Sequence, residues 1–311
     1  MTGELQYLRR CDLIVSDDAG NGLDLSGLTI SFAIKKTDGQ TPNTASIKIY
    51  NLASETAKKI QKEFTRVTLQ AGYESNYGVI FDGNIKRITN GRENVVDHFI
   101  DIQAADGDEA YNFAVVNATL AAGAKQRDQI EAAAKAMAQL GVSSGFTDSA
   151  ADSAPLPRGK VMYGMARDYY RQSAESAGCS WSIQNGKVQV VKLSGVLPST
   201  AVQLNSASGL VNTPEQTSDG VKFRCLINPK LSIGGMVHIN EGDIQKAKLD
   251  DAPPSKDGNP KKEPPDLSSD GFYRLISATI SGNTRGNDWY MDGICLPLDY
   301  TATEGEQVQG W

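Results

Sequence analysis

Residues 45–73 change periodicity twice within thirty positions, and few folds accommodate that. In "ASIKIY" the apolar Ala45, Ile47 and Ile49 alternate with Ser46 and Lys48, the period of a half-buried strand. From Ser54 the spacing becomes helical. Ser54 is a suitable N-cap, Glu55 places negative charge in the first turn, and Ala57, Ile60 and Phe64 recur at intervals of three and four. In "RVTLQAGY" alternation returns, with Val67, Leu69, Ala71 and Tyr73 on one face. The chain must therefore be α+β and mainly β, with one short amphipathic helix (54–64) set among strands.

The flanking sequence extends the pattern. Cys11, Leu13 and Val15 share a face, as do Leu28, Ile30, Phe32 and Ile34, and in "NVVDHFIDIQAAD" Val96, Ile100, Ile102 and Ala104 fall in register. Turns at "DAGNG", "TDGQTPN" and "TNGREN" separate six or so strands, which predicts a β-barrel or sandwich over 1–105. From there to about residue 178 the pattern reads as helical. "RDQIEAAAKAMAQLG" aligns Ile130, Ala133, Ala134, Met137 and Leu140 before Gly141. After a polar, Pro-containing linker, Tyr163, Ala166, Tyr170 and Ala174 line a second helix that Gly178 closes. Asn185-Gly186 between two alternating runs is a strong hairpin signal, so 106–198 reads as an α+β middle unit.

Strands resume over 199–311. They are interrupted at 249–270 by "LDDAPPSKDGNPKKEPPDLSSD", whose composition predicts a long mobile loop, and they end in a tail expected to be poorly ordered. The order β, α+β, β suggests that the outer units are related. A length of 311 residues accommodates three such units.

Charge and cysteine usage exclude several classes. With 31 basic and 37 acidic side chains the formal charge is −6, which argues against stable nucleic-acid binding through phosphate neutralisation. Four dispersed cysteines form no CxxC pair, so neither a zinc site nor a disulfide framework is indicated, and reduced thiols are expected. The start of the chain does not read as a signal peptide, and no run of apolar residues is long enough to span a membrane. A chain made in the cytoplasm, and able to join a particle later, fits these features.

Catalytic signatures are lacking. His98 and His238 each sit within strand patterns and read as packed, hydrogen-bonded side chains. Asp106, Asp108 and Glu109 in "ADGDEA" read as a solvated acidic turn, and no HExxH, GxSxG or Walker loop is present. Trp181, Trp289, Tyr163, Tyr169 and Tyr170 suit core or subunit contacts better than a ligand pocket. No catalytic residue, cofactor or metal is therefore expected. Lys256, Lys261 and Lys262, diluted by Asp257 and Glu263, mark a candidate partner-docking loop.

Three stretches resemble one family, the baseplate hub proteins of contractile-tailed bacteriophages, which includes Mu-like tail proteins and late-control type hubs. They are "IKIYNLASETAKKI" with "VTLQAGYESNYGVIFDGNI", "SAGCSWSIQNGKVQVV", and "CLINPKLSIGGMVHI" with "GFYRLISATISGNTRGNDWYMDGICLPL". The resemblance implies two tail-tube-like β-barrel domains flanking the α+β middle domain. It also implies a structural homotrimer whose pseudo-sixfold ring joins a hexameric tail tube to a trimeric spike, contacts baseplate wedge proteins and lets DNA pass transiently. An acidic or neutral channel wall would then be expected, in a virion component that is not an enzyme. The alternatives are a hexameric distal tail or adaptor ring and a tail-tip cell-wall hydrolase. No lysozyme module is expected in this length, and a type VI secretion hub is the less expected reading, since such chains continue into a β-helical needle where this sequence stops at Trp311.

Overall fold

A computed structural model describes residues 7–17, 19–152, 155–246 and 265–298. The first segment comprises β1 (Arg9–Ser16), β2 (Gly22–Asp24), β3 (Ile30–Thr37), β4 (Thr44–Tyr50), α1 (Ser54–Glu63), β5 (Arg66–Tyr73), β6 (Asn76–Arg92) and β7 (His98–Ala105). The middle segment follows with α2 (Asp108–Phe113), β8 (Val115–Leu120), α3 (Gln126–Ala138), β9 (Ser143–Thr147), β10 (Lys160–Met165), α4 (Ala166–Ser176), β11 (Cys179–Gln184) and β12 (Lys187–Lys192). The last contains β13 (Val202–Leu204), β14 (Glu215–Thr217), β15 (Gly220–Leu226), β16 (Met236–Ile239), β17 (Phe272–Asn283) and β18 (Trp289–Pro297).

Strands of the first and last segments form a single 13-stranded sheet, in the order β14-β15-β18-β17-β3-β4-β7-β6-β5-β1-β2, with β16 added to β17 and β13 to β16. Its two halves join where β17 pairs antiparallel with β3, Ser277 opposite Thr37 and Asn283 opposite Ser31. Among the described residues this order does not return on itself and closes no barrel: the strands of the two expected tube-like units lie in one continuous sheet. Periodicity reports which side chains are buried; it carries no information on which edge a strand will pair with.

Packing follows the pairing. Leu13, Ile34, Ile47, Leu69 and Ile102 from the first segment share one buried core with Phe223, Ile239, Leu275, Trp289 and Cys295 from the last. The middle segment has its own core, built from Ile130, Ala133, Met137, Tyr170, Trp181 and Val190. Here α3 and α4 pack against each other beside the three-stranded sheet β11-β12-β9, in which β9 runs parallel to β12. Asn185 and Gly186 adopt positive φ angles of 52° and 72°, as the predicted hairpin turn requires.

Other local expectations change. Ala53, not Ser54, occupies the N-cap of α1, Ser54 is the first helical residue, and no side chain caps the helix. Its core contact is as expected, with Ile60 and Phe64 buried. The segment read as helix and linker also contains α2, β8, β9 and β10. Tyr163 belongs to β10 and is 75% exposed, because β10 pairs with β8 and turns this row outward. Val96 lies outside β7, and both it and His98 are exposed, which corrects the packed reading of His98: the strand begins at this residue, beyond the core.

Three strand glycines explain how the sheet packs so closely. Gly91, Gly282 and Gly293 stand opposite Phe99, Phe32 and Phe223 on the paired strands. A Cβ at each would lie 2.4, 2.4 and 2.3 Å from a ring carbon. Each ring therefore lies on bare backbone, filling the space where the glycine has no side chain.

Candidate assembly surface

The run β15-β18-β17-β3-β4-β7 and the second half of β6 presents one face to the core and turns an opposite, largely polar row outward. Alternation along β3 buries Ile30, Phe32, Ile34 and Lys36 and turns Ser31, Ala33, Lys35 and Thr37 the other way. Register then aligns hydroxyls across the seam, where Ser281 stands opposite Ala33 and Thr279 opposite Lys35. The same row continues through Ser46, Lys48, Asp101, Gln103, Arg87 and Thr89 on one side, and through Asp292, Arg224 and Lys222 on the other.

Five cations (Lys35, Lys48, Arg87, Lys222 and Arg224) thus share this face with two carboxylates, Asp101 and Asp292. Local pairing moderates the excess. Arg224 donates to both Asp292 oxygens at 2.6 and 3.0 Å, Ser46 Oγ donates to Asp101 at 2.8 Å, and Lys48 Nζ lies 4.9 Å from the centre of the Phe99 ring.

Two polar clamps fix the middle segment to the sheet. Arg274 in β17 is only 5% exposed. Its Nη1 donates to the carbonyls of Lys192, Leu193 and Gly195 at 2.8, 2.9 and 3.2 Å, and its Nη2 to Asp38 and the Ser180 hydroxyl at 3.1 and 3.0 Å. The second clamp holds the Asn185-Gly186 turn. Fully buried Asp106 accepts the N–H groups of Asn185 and Gly186 at 2.5 and 2.8 Å, while Lys36 Nζ donates to Asn185 Oδ1 at 2.7 Å. Asn43 adds bonds to the Ile183 carbonyl and to Gln184 Oε1.

Burial shifts both charges of the second clamp. Desolvation raises the Asp106 carboxyl to about 6 against the opposing effect of the two N–H donors and Lys36. It lowers the Lys36 ammonium to about 8, countered by Asp106.

The acidic group of the sequence is therefore divided among structural tasks. Asp106 holds the turn, Asp108 pairs with Lys86 at 3.0 Å, and the Glu109 N–H donates to Asn84. His238 is half-buried, its ring 4.8 Å from that of Phe272. Trp181 stacks on Tyr170 at 5.1 Å inside the middle core, and Tyr169 accepts the Tyr163 N–H through its hydroxyl. Among the described residues no group of three or more His, Cys, Asp or Glu side chains could hold a metal ion. Lys256, Lys261 and Lys262 lie outside the described residues.

Sequence reasoning missed the clamp residues and the sheet seam. The partners of Asp106 lie some eighty positions away, so no local signal exists. Arg274, by contrast, sits between Tyr273 and Leu275 in a strand, and a guanidinium there must find buried acceptors. An outward apolar face was missed as well: Val115, Val161 and Tyr163 on the β8–β10 pair are 51, 73 and 75% exposed, with Phe113 at 70% beside them.

Comparison with known proteins gives a consistent picture. A model of the family described as Baseplate hub gp41 matches residues 13–242. No curated protein sequence matches significantly. Among solved structures, the prophage MuSo2 43 kDa tail protein from Shewanella oneidensis is similar at TM-score 0.57 and 7% identity, over 93% of this chain and 97% of that one. The tail protein from Neisseria meningitidis MC58 is similar at TM-score 0.57 and 9% identity, over 93% and 96%. The Francisella PdpA-VgrG complex contains a chain similar at TM-score 0.55 and 8% identity, over 99% of this chain and 61% of that one. At these identities the likeness is one of fold.

Proposed function

Because the chain belongs to the Baseplate hub gp41 family, we propose that three copies form the ring of a phage tail baseplate that joins a sixfold tail tube to a threefold spike. The observation that carries this reading is the continuous sheet, which runs through both outer segments and turns one long polar row away from the core. Seven strands spaced about 4.8 Å apart give each chain an arc of roughly 34 Å. Three such arcs, joined edge to edge and with tilted strands, enclose a bore of at least about 30 Å, wide enough for a nucleic-acid duplex.

Under this reading the hydroxyl-rich face lines the channel, and DNA passes along it during ejection into the host. Its five cations and two carboxylates replace the expected acidic or neutral wall with a mildly cationic one, whose attraction for phosphate is screened at physiological salt. The contractile tail, the virion location and synthesis in the host cytoplasm belong to the same proposal, as does the role of a structural subunit that is not an enzyme. So does the division into units 1–105, 106–198 and 199–311, with the first and last acting as tube-like halves. The apolar face of β8 and β10 is then a docking surface for spike or wedge proteins, and Lys256, Lys261 and Lys262 are proposed to contact the same partners.

Native mass spectrometry of the purified chain, alone and mixed with spike protein, tests the stoichiometry. A threefold mass is expected. Six copies would favour an adaptor ring, and a monomer that binds neither tube nor spike would remove the basis of the proposal.

A further inference from the structure

The β17–β18 turn meets the N-terminal strand around a pocket of about 340 Å³ whose nine lining residues include three arginines and no carboxylate. Arg9 donates from Nη1 to the Gly286 carbonyl at 2.9 Å and from Nη2 to the Asn287 carbonyl at 3.2 Å, with its guanidinium 5.6 Å from the centre of the Trp289 ring. These neutral acceptors position the cation without neutralising it. Arg10 pairs with Asp12 at 2.9 Å and lies 4.4 Å from the Tyr77 ring centre. Arg285 is exposed on the turn and, among the described residues, has no ion-pair partner.

Trp289 also lines the pocket, is fully buried, and has an Nε1–H with no acceptor. Ser26, which lines the pocket, donates its N–H to Asp24 at 2.9 Å and its hydroxyl to the same carboxylate. The guanidinium groups of Arg9 and Arg285, without an ion-pair partner among the described residues, thus line the same open pocket. Their planar donors match the paired oxygens of a carboxylate or phosphate.

We propose that this pocket is an oxyanion site that takes a carboxylate or phosphate group. The source is either a glutamate-bearing segment of a protein partner or free phosphate. The site is independent of the ring reading, since it lies wholly within one chain.

Titrating the full chain with inorganic phosphate, and separately with a tetraglutamate peptide, by calorimetry distinguishes the two. Saturation by phosphate alone identifies a small-anion site. Saturation by the peptide, with phosphate competing, identifies an acidic segment. In either case Arg285→Ala is expected to weaken binding about tenfold, and Arg285→Lys to recover only part of it. Arg285 lies exposed on a turn, so both variants retain the fold, which circular dichroism verifies. If neither probe saturates below about 20 mM, or if Arg285→Ala binds as well as the parent chain, the proposal is wrong.

Discussion

Asp106 shows how one buried carboxylate makes the attachment of the middle segment depend on pH. Its carboxyl is raised to about 6, above the ordinary value of 3.8, so ionisation opposes folding. This contribution to stability is full below pH 4 and declines as pH rises to about 6, with a span on the order of 3 kcal/mol. Lys36, lowered to about 8, titrates in a separate window: its folded-state penalty is relieved between about 8 and 10.5 as the ammonium deprotonates. Urea denaturation at closely spaced pH values should therefore show the parent chain losing stability relative to Asp106→Asn between pH 4 and 6. Below pH 4, where the parent carboxyl is neutral and carries no ionisation penalty, the variant should be about 1–3 kcal/mol less stable than the parent, because an amide accepts only one of the two turn N–H bonds well. Arg274 answers to geometry more than to charge. Arg274→Lys keeps the cation but cannot reach five acceptors, and a loss of about 2–4 kcal/mol in the same assay is expected.

Among elements, the glycine–phenylalanine pairs separate what was legible from what was not. Alternation in β3, β4 and β5 located those strands, and the shift to helical spacing located α1 to within a residue of its end. Strands β8, β9 and β10 escaped notice, since Val115–Leu120 and Ser143–Thr147 are short and the β8–β10 pair exposes apolar residues on its outer face. An isolated glycine inside a strand was readable as a point of close approach, yet the ring above it comes from another strand. Phe32 and Gly282 are 250 positions apart. The surroundings of each ring set the penalty for filling the gap. Phe32 is 3% exposed and edge-on to Trp289, so Gly282→Ala displaces a packed ring and should cost about 2–4 kcal/mol in thermal or urea melts. Phe99 is only half-buried and can swing outward, so Gly91→Ala should cost about 1 kcal/mol or less. Equal losses would mean that the rings do not govern the tolerance of these strands.

At the scale of the whole chain, two cores are arranged so that sequence order and folding order diverge. The order β, α+β, β was visible in the sequence, but the joining of its outer parts was not, because the seam of Ser31–Thr37 with Ser277–Asn283 has no counterpart in local periodicity. The seam also determines which pieces can fold. Residues 110–190 supply the middle core from contiguous sequence, with two packed helices, a three-stranded sheet and a turn already favoured by Asn185-Gly186. The other core draws on 13–104 and 204–295 together, and without the latter β3 keeps an unpaired edge while Phe32 loses both Gly282 and Trp289. An exposed edge and an opened core oppose folding in the same fragment. A fragment spanning 106–198 should accordingly give a dispersed amide spectrum and a single cooperative melt, although less stable than the parent for want of the Lys36, Asn43 and Arg274 contacts. A 1–105 fragment should give neither until it is mixed with 199–311, when restored β3–β17 pairing should bring back dispersion in both. If 1–105 folded cooperatively alone, the shared core would be two separate cores, and the seam a contact between finished domains.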